Sequence, residues 1–457
     1  MFPLLAICAF ALSCLLTVLL MLRRPYLTIR VRRRHVRVQT YFLGAMFGPV
    51  AVLLLGVLHL PEVIANLRGT PQLNPAGILA LFLSMAFLSI FLDITGFFEA
   101  CARLALRHSG QSARRLFAIL YATVSVLTVF TSNDIIILTF TPIICHFARG
   151  ARVNPVPYLV AEFFAANTWS AFLYVGNPTN ILVASAFQID FLHYARLMAF
   201  PTAVAGALNF LLLRRLFRRA LAEPLRPVAV ESPAAALTDR LGAALSTLLL
   251  GACIAGLAVA PRLHVPMWKV SVGAAFALLA VLVVRRSRAR ALRQDLDLVG
   301  GPGMRRTLGR MPWTIIPFVL SMFTMVEALR RTGVLAGAGR LLAGLVGHSA
   351  PLAALVYGGA SAVAANILNN IPMTLAFAGL LNEAPEGVRL AGSMATAFGS
   401  NLGANLTPFG ALAGLLWLSM LREKEIDLSF GRFIRYGLAV TPVSLLAGLL
   451  ALALQFL

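Results

Sequence analysis

The sequence predicts an all-α polytopic membrane protein made of two inverted-topology repeats, each with five transmembrane spans and one re-entrant helical hairpin. Three observations carry this expectation. First, 59% of the 457 residues are hydrophobic and only 12% are charged, with a mean hydropathy of +0.85; soluble domains carry about 25% charged residues. Second, apolar runs long enough to cross a bilayer alternate with short loops in which arginines cluster, the pattern of the positive-inside rule. Third, the halves match in sequence. Ser84, Thr95, Gly96, Arg103 and Leu104 correspond to Ser321, Thr332, Gly333, Arg340 and Leu341, each pair 237 residues apart.

In chain order, Phe2–Leu22 reads as a retained first span, since it lacks a basic leader and a small-residue cleavage site. Arg23, Arg24, Arg30, Arg32, Arg33, Arg34 and Arg37 follow it, which places that loop in the cytoplasm and the N-terminus outside. Tyr41–Leu60 returns outward. Residues 76–100 come back in and end at Arg103, Arg107, Arg114 and Arg115. Leu116–Phe147 has arginines at both ends. Its two apolar arms, Leu116–Thr131 and Ile135–Phe147, are each shorter than a span. It reads as a re-entrant hairpin entering from the cytoplasm, with its tip at Ser132-Asn133-Asp134. Val156–Phe187 is a span broken at Gly176-Asn-Pro-Thr-Asn180, because glycine loosens a helix and proline removes a donor. Tyr194–Leu213 completes a first repeat over residues 1–219, and 220–241, with three prolines, reads as a cytoplasmic linker.

The second repeat, 242–457, follows the same plan. Gly242–Ala260 goes out and Met267–Val284 comes in, ending on the cluster Arg285, Arg286, Arg288, Arg290 and Arg293. Pro312–Arg331 goes out. Residues 351–381 form the outer-side hairpin, 388–420 a second broken span, and Leu438–Phe456 ends outside. The 237-residue offset carries Ser132-Asn133 onto Asn369-Asn370, and an offset of 234 carries Asn167 onto Asn401 and Gly176 onto Gly410. Five spans per half is an odd number, so the second repeat is inverted. Many secondary transporters are built this way, with the site where broken helices meet near the midplane.

The polar residues at these breaks are the candidate substrate site: Ser132, Asn133, Asp134, Asn167, Asn177, Asn369, Asn370, Asn401, Asn405 and Thr407. Amides supply donors and acceptors, and interrupted helices supply dipole ends and free carbonyls. Asparagine also serves as glue between membrane helices. Such a cage suits a small polar solute or a cation. Asp134, whose counterpart is Ile371, is the candidate proton-coupling residue together with Asp93. Glu99, Glu162 and Glu327 are further acids within spans.

Other classes are excluded. The net charge of +22 comes from loop arginines and not from basic patches interleaved with exposed aromatics, so nucleic acid is not a partner. The five cysteines lack paired spacing, and histidines do not cluster, so neither disulfides nor a metal nor any other cofactor is expected. Hydrolase triads and nucleotide-binding loops are absent, so the chain is not expected to be an enzyme.

Phe91-Leu-Asp-Ile-Thr-Gly-Phe-Phe-Glu99, Ser132-Asn-Asp-Ile-Ile-Ile-Leu-Thr-Phe-Thr-Pro142, Asn369-Asn-Ile-Pro372 and Gly399 to Leu412 resemble the arsenite/antimonite permeases of the ion transporter superfamily. The likeness runs from about the second span to the C-terminus. It implies a bacterial-type cytoplasmic (inner) membrane location, alternating access and proton-driven export of arsenite, antimonite or a similar solute. It places Asn133, Asp134, Asn369 and Asn370 at the substrate site. It also implies a homodimer and, by analogy, association with a soluble ATPase. The superfamily includes sodium/proton antiporters and sodium- or proton-coupled anion transporters, the alternative functions. Asn167 and Asn401 stand where the permeases usually carry aspartate.

Overall fold

The computed structural model describes residues 1–31, 34–69, 74–226, 231–291 and 301–457. Arg32, Arg33 and Arg293, on which part of the charge map rests, lie outside these residues, as do linker residues 227–230. The chain is helical almost throughout, as the composition requires. Backbone groups in hydrocarbon must be satisfied within the segment that carries them. Ten helical stretches among the described residues are long and apolar enough to cross a membrane.

The first half opens with α1 (Phe2–Arg23), a β-hairpin of β1 (Tyr26–Val31) and β2 (Arg34–Gln39), α2 (Tyr41–Leu54) and α3 (Leu60–Arg68). It continues with α4 (Pro75–Ile94), α5 (Phe97–Ser109), α6 (Ala113–Phe130), α7 (Asn133–Ala151), α8 (Val156–Trp169), α9 (Pro178–Ala186) and α10 (Phe191–Leu216). A short α11 (Pro233–Ala236) lies in the linker. The second half runs α12 (Arg240–Val259), α13 (Met267–Ala291), α14 (Gly301–Arg310), α15 (Ile315–Arg331), α16 (Val334–Val346), α17 (Ala350–Leu368), α18 (Asn370–Leu381), α19 (Glu386–Gly403), α20 (Leu412–Glu423) and α21 (Phe430–Ala453).

Three expectations need correction. The run read as a span over 76–100 is two helices: α4 ends at Ile94, and Gly96, at φ 86°, turns the chain into α5. A side chain there would strike the Ala236 carbonyl, so close packing of the linker also requires glycine. The run Tyr41–Leu60 stops as helix at Leu54, turns at Gly56 (φ 67°), and restarts as α3, whose His59–Glu62 pair forms a capping box. The hairpin arms are longer than the apolar runs: α6 has 18 residues and α7 has 19. Two strands also interrupt an otherwise all-α chain; they pair antiparallel, Tyr26 opposite Gln39.

Helix starts recur at the sequence offset. Phe97, Ala113 and Asn133 begin α5, α6 and α7; Val334, Ala350 and Asn370, each 237 residues on, begin α16, α17 and α18. The left-handed Gly96 and Gly110 match Gly333 and Gly347. Ser112 caps α6 and Ser349 caps α17, each hydroxyl accepting from the amide three residues on. The three-residue 3-10 turns Tyr174–Gly176 and Pro408–Gly410 are 234 apart.

A central bundle of α6, α8, α10, α17, α19 and α21 holds the core, with α7 and α18 against it. Outside lie α1 with α2 and α15, and α4 with α12, α13 and α14. Helix α8 is buried on every face from Val156 to Thr168. Helix α19 can lie tight on α17 because a side chain at Gly403 would sit 2.6 Å from the Ala362 carbonyl oxygen. Small residues let membrane helices approach this closely.

Candidate functional site

The two central broken helices meet end to side. Helix α8 stops at Trp169, and the chain runs irregularly through a 3-10 turn to Asn177, which is extended (φ −150°, ψ 140°) and caps α9 by accepting from the Thr179 amide at 3.1 Å. Helix α19 stops at Gly403. Thr407 then caps its own turn, its hydroxyl accepting from the Phe409 amide at 3.2 Å. Backbone freed in this way at membrane depth needs side-chain partners, and the asparagines supply them.

Asn401 is saturated. Its carbonyl accepts from Ser170 Oγ at 2.7 Å and Asn177 Nδ2 at 2.9 Å, and its amide donates to Asn180 Oδ1 at 2.6 Å and the Ala397 carbonyl at 2.7 Å. It ties the broken segment of the first half to α19 of the second. Asn167 Nδ2 reaches Asn405 Oδ1 at 3.2 Å, and Asn405 donates in turn to Thr168 Oγ1 at 3.3 Å, which also accepts from Asn209 at 2.7 Å. Five of these residues, Thr168, Asn177, Asn180, Asn209 and Ser170, are buried together with Asn167, Asn401 and Asn405.

The hairpin tips are different. Asn133, the first residue of α7, donates to Asn167 Oδ1 at 3.0 Å, while its own carbonyl oxygen is buried without a partner. Asn369 alone joins α17 to α18, at φ 72° and ψ 154°, a backbone region that costs a non-glycine residue about 1–3 kcal/mol. Its amide donates to the Phe409 carbonyl at 3.1 Å, and its carbonyl oxygen is unpartnered. The Asn370 side-chain oxygen is also buried and unpartnered. Among the described residues four amide oxygens of the cluster thus lack donors, three of them at the hairpin tips and the fourth that of Asn209. Helices α7 and α18 each begin at a tip, so each tip lies at an amide-rich, electropositive helix end.

Ser132 precedes α7, half-buried, and makes no side-chain cap. Asp134 is half-buried and has no hydrogen bond or ion pair among the described residues; it lies within electrostatic reach of the Tyr41 hydroxyl on α2. Asp93 is placed elsewhere. It closes α4, accepts from Thr139 Oγ1 of α7 at 2.9 Å, and pairs with Arg310 of α14 at 2.5 Å. Thr407 donates to Asn366 Oδ1 at 2.7 Å, and the Asn366 amide bridges the Ala362 and Gly403 carbonyls, both at 2.8 Å. Asn366, Asn180, Ser170, Thr168 and Asn209 were not among the expected site residues. Asn366 sits one turn before the Asn369-Asn370 tip, a spacing that puts it on the same helix face.

Two clefts flank the hairpins. One, of about 480 Å³, lies between α4 and α7 and is lined by Asp93, Thr139, Pro142, Arg306 and Arg310. The other, of about 620 Å³, lies between α15 and α18 and is lined by Glu327, Arg330, Leu375, Gly379 and Asn382. They correspond under the 237-residue offset: Leu138 to Leu375, Pro142 to Gly379, Asp93 to Arg330. In the second cleft Glu327 takes three bonds of 2.7 Å from Arg330 and Arg331. Among the described residues no group of three His, Cys, Asp or Glu side chains forms a metal site.

Broken helices joined by amides, paired helical hairpins and matched clefts, in a chain of membrane-length apolar helices, define a multi-pass membrane transporter. The chain belongs to the citrate transporter (CitMHS) family, whose model matches residues 17–393. It is 28% identical over 423 residues to an arsenical pump membrane protein of Escherichia coli, covering 90% of this chain and 93% of that one. It is likewise 28% identical over 431 residues to a 46 kDa membrane protein of Mycobacterium leprae, covering 89% and 92%. The fold is similar to that of the YdaH transporter of Alcanivorax borkumensis, with a TM-score of 0.55 at 16% identity over 99% of this chain and 98% of that one. The protein is a transporter, not an enzyme.

Proposed function

We propose that the protein is a secondary active transporter that exports arsenite, antimonite or a similar small polyhydroxy solute across the bacterial inner membrane in exchange for protons. The observation that carries this reading is the set of three buried, unpartnered amide oxygens at the hairpin tips, those of Asn133, Asn369 and Asn370. A buried acceptor without a donor is costly, and a ligand rich in O–H groups relieves it. Neutral arsenite has three hydroxyl donors. The similarity to arsenical pump membrane proteins supports the same solute class.

In this reading Ser132, Asn133, Asp134, Asn369 and Asn370 face the solute. Asn167, Asn177, Asn401, Asn405 and Thr407 hold the broken helices in register. Asp134, unpaired beside the tip, takes up the exchanged proton. Asp93, paired with Arg310, fastens α7 to α4. The two halves are inverted repeats with both termini outside, and the two clefts serve opposite faces in turn. Docking of a homodimer partner and of a soluble ATPase belongs to the same proposal by analogy alone.

A second reading rests on the same oxygens. Carbonyl ligands also suit sodium, and an anion transporter fits the family description, with sodium as the coupling ion in this reading. Everted membrane vesicles separate the two. Arsenite accumulation that a protonophore abolishes and sodium leaves unchanged supports export by proton exchange. Sodium-dependent anion flux without arsenite movement contradicts it.

A further inference from the structure

Glu162 stands apart from the amide cluster, in the middle of α8, and no step described so far uses it. It is 1% exposed. Its two carboxylate oxygens each lie 3.1 Å from one atom, the Thr141 hydroxyl of α7. One hydroxyl carries one proton, so a carboxylate with about four lone-pair sites is left short of donors, and Thr141 is the residue that supplies them. None of the ion pairs among the described residues includes Glu162. An isolated buried carboxylate is so costly that the group neutralises instead. The same 3.1 Å contacts serve a neutral acid whose O–H donates to the threonine oxygen.

The surroundings offer no substitute charge. On α7, Cys145 follows Thr141 by one turn, and Arg149 lies in the last turn, where it donates to the Lys424 carbonyl. On α6, Tyr121 donates to the Gly206 carbonyl at 2.8 Å, and Arg114 and Arg115 sit in the first turn. On α10, Arg214 and Arg215 occupy the last turn. On α19, Arg389 donates to the Ala384 and Asn382 carbonyls near the helix start. Helices α20 and α21 meet this part of α8 through Trp417 and Phe433 against Phe163. Their charged residues Arg422 and Glu423 lie in the last turn of α20, and Arg432 and Arg435 in the first two turns of α21. Tyr158, one turn back on α8 itself, is the remaining titratable neighbour.

We propose that Glu162 is a proton-binding site, a neutral acid in this conformation, that gives its proton to water when α7 moves off α8 and takes one back when it returns. Among the described residues its hydrogen-bond partner is Thr141 of the hairpin, so hairpin position sets the proton affinity. One O–H bond forms at a carboxylate oxygen on loading and breaks on release. Glu162 lies five residues before Asn167, which holds the Asn133 tip, so the proton and solute sites share one rigid helix. The coupling role rests on the exporter reading above; the proton site itself does not.

Infrared spectroscopy of the purified protein in detergent, titrated from about pH 5 to about pH 9, tests the site without any solute. The expected result is a protonated-carboxyl carbonyl band that disappears in Glu162→Gln and persists in Asp134→Asn, with both variants monodisperse. A wild-type spectrum unchanged by Glu162→Gln overturns the proposal. In vesicles, Glu162→Gln is expected to cut proton-driven accumulation at least about tenfold, a loss of about 1.4 kcal/mol of coupling. Undiminished accumulation that a protonophore still abolishes overturns the coupling role. Wild-type accumulation indifferent to the protonophore, with the band present, supports the proton site and removes the exporter reading instead.

Discussion

Asn133 and Asn167 are joined by one hydrogen bond of 3.0 Å, the amide of the hairpin tip donating to the carbonyl of the broken helix. Because that donor is committed, the Asn133 carbonyl oxygen is left for something other than protein. Asn401, on the matching broken helix, has every group occupied. The contrast divides the asparagines into those that brace the fold and those with capacity to spare.

Bracing should show as stability. Asn401→Leu takes the partner from Asn177 Nδ2 and from Asn180 Oδ1 and one of two acceptors from Ser170 Oγ, and is expected to destabilise the protein by about 2 kcal/mol or more. Thermal unfolding in detergent measures this. An unfolding midpoint equal to that of the unaltered protein removes Asn401 from the bracing set.

The close approach of α17 and α19 gives a second stability test. Gly403→Val forces a side chain onto the Ala362 backbone and is expected to cost about 1–3 kcal/mol. Gly359, inside α17 and with nothing near an added Cβ, is the control: Gly359→Ala should hold the midpoint or raise it by the helix preference of alanine, and not lower it.

Asp93 and Thr139 hold α7 to α4 by one hydrogen bond of 2.9 Å. Thr139→Val removes it and leaves the Asp93–Arg310 pair intact. If this contact restrains the hairpin against α4, loss of about 1 kcal/mol changes the exchange rate about fivefold while solute affinity at the tips holds. Stopped-flow or filter-binding rates read the change. A rate identical to that of the unaltered protein shows that the contact does not restrain the hairpin.

Asp134 carries a different expectation. Asp134→Asn keeps the shape and removes the titrating group, so proton-driven accumulation should vanish while solute exchange down its own gradient continues. Driven accumulation at the unaltered level rules out a coupling role for this residue.

Much of the architecture was legible because membrane burial makes sequence obey simple rules. The offset of 237 residues found from Ser84, Gly96 and Arg103 reappears as the spacing between helix starts at Asn133 and Asn370. The breaks at Gly176 and Gly410 fall in the 3-10 turns that follow the helix ends at Trp169 and Gly403. What hydropathy did not reveal was direction. The run through Thr95 and Gly96 is uniformly apolar enough to pass as one span, yet a left-handed glycine turns it. The site was readable as a set of residue types, since asparagine in an apolar run is conspicuous. Which amide oxygens remain free was not readable. That depends on pairings across about 230 residues, such as Asn167 with Asn405, which no local pattern encodes. Asp93 illustrates the limit from the other side: its partner Arg310 comes from α14, a helix outside the hydrophobic pattern.

The central claim is that the free oxygens of the hairpin tips hold the transported solute. Arsenite accumulation in everted vesicles should be compared between the unaltered protein and the variants Asn133→Ala and Asn370→Ala, at matched expression. Loss of a neutral ligand hydrogen bond of about 0.5–1.5 kcal/mol predicts that each variant needs about 2- to 10-fold more arsenite for half-maximal uptake. Unaltered half-saturation in both variants, with protonophore-sensitive uptake intact, would contradict the account.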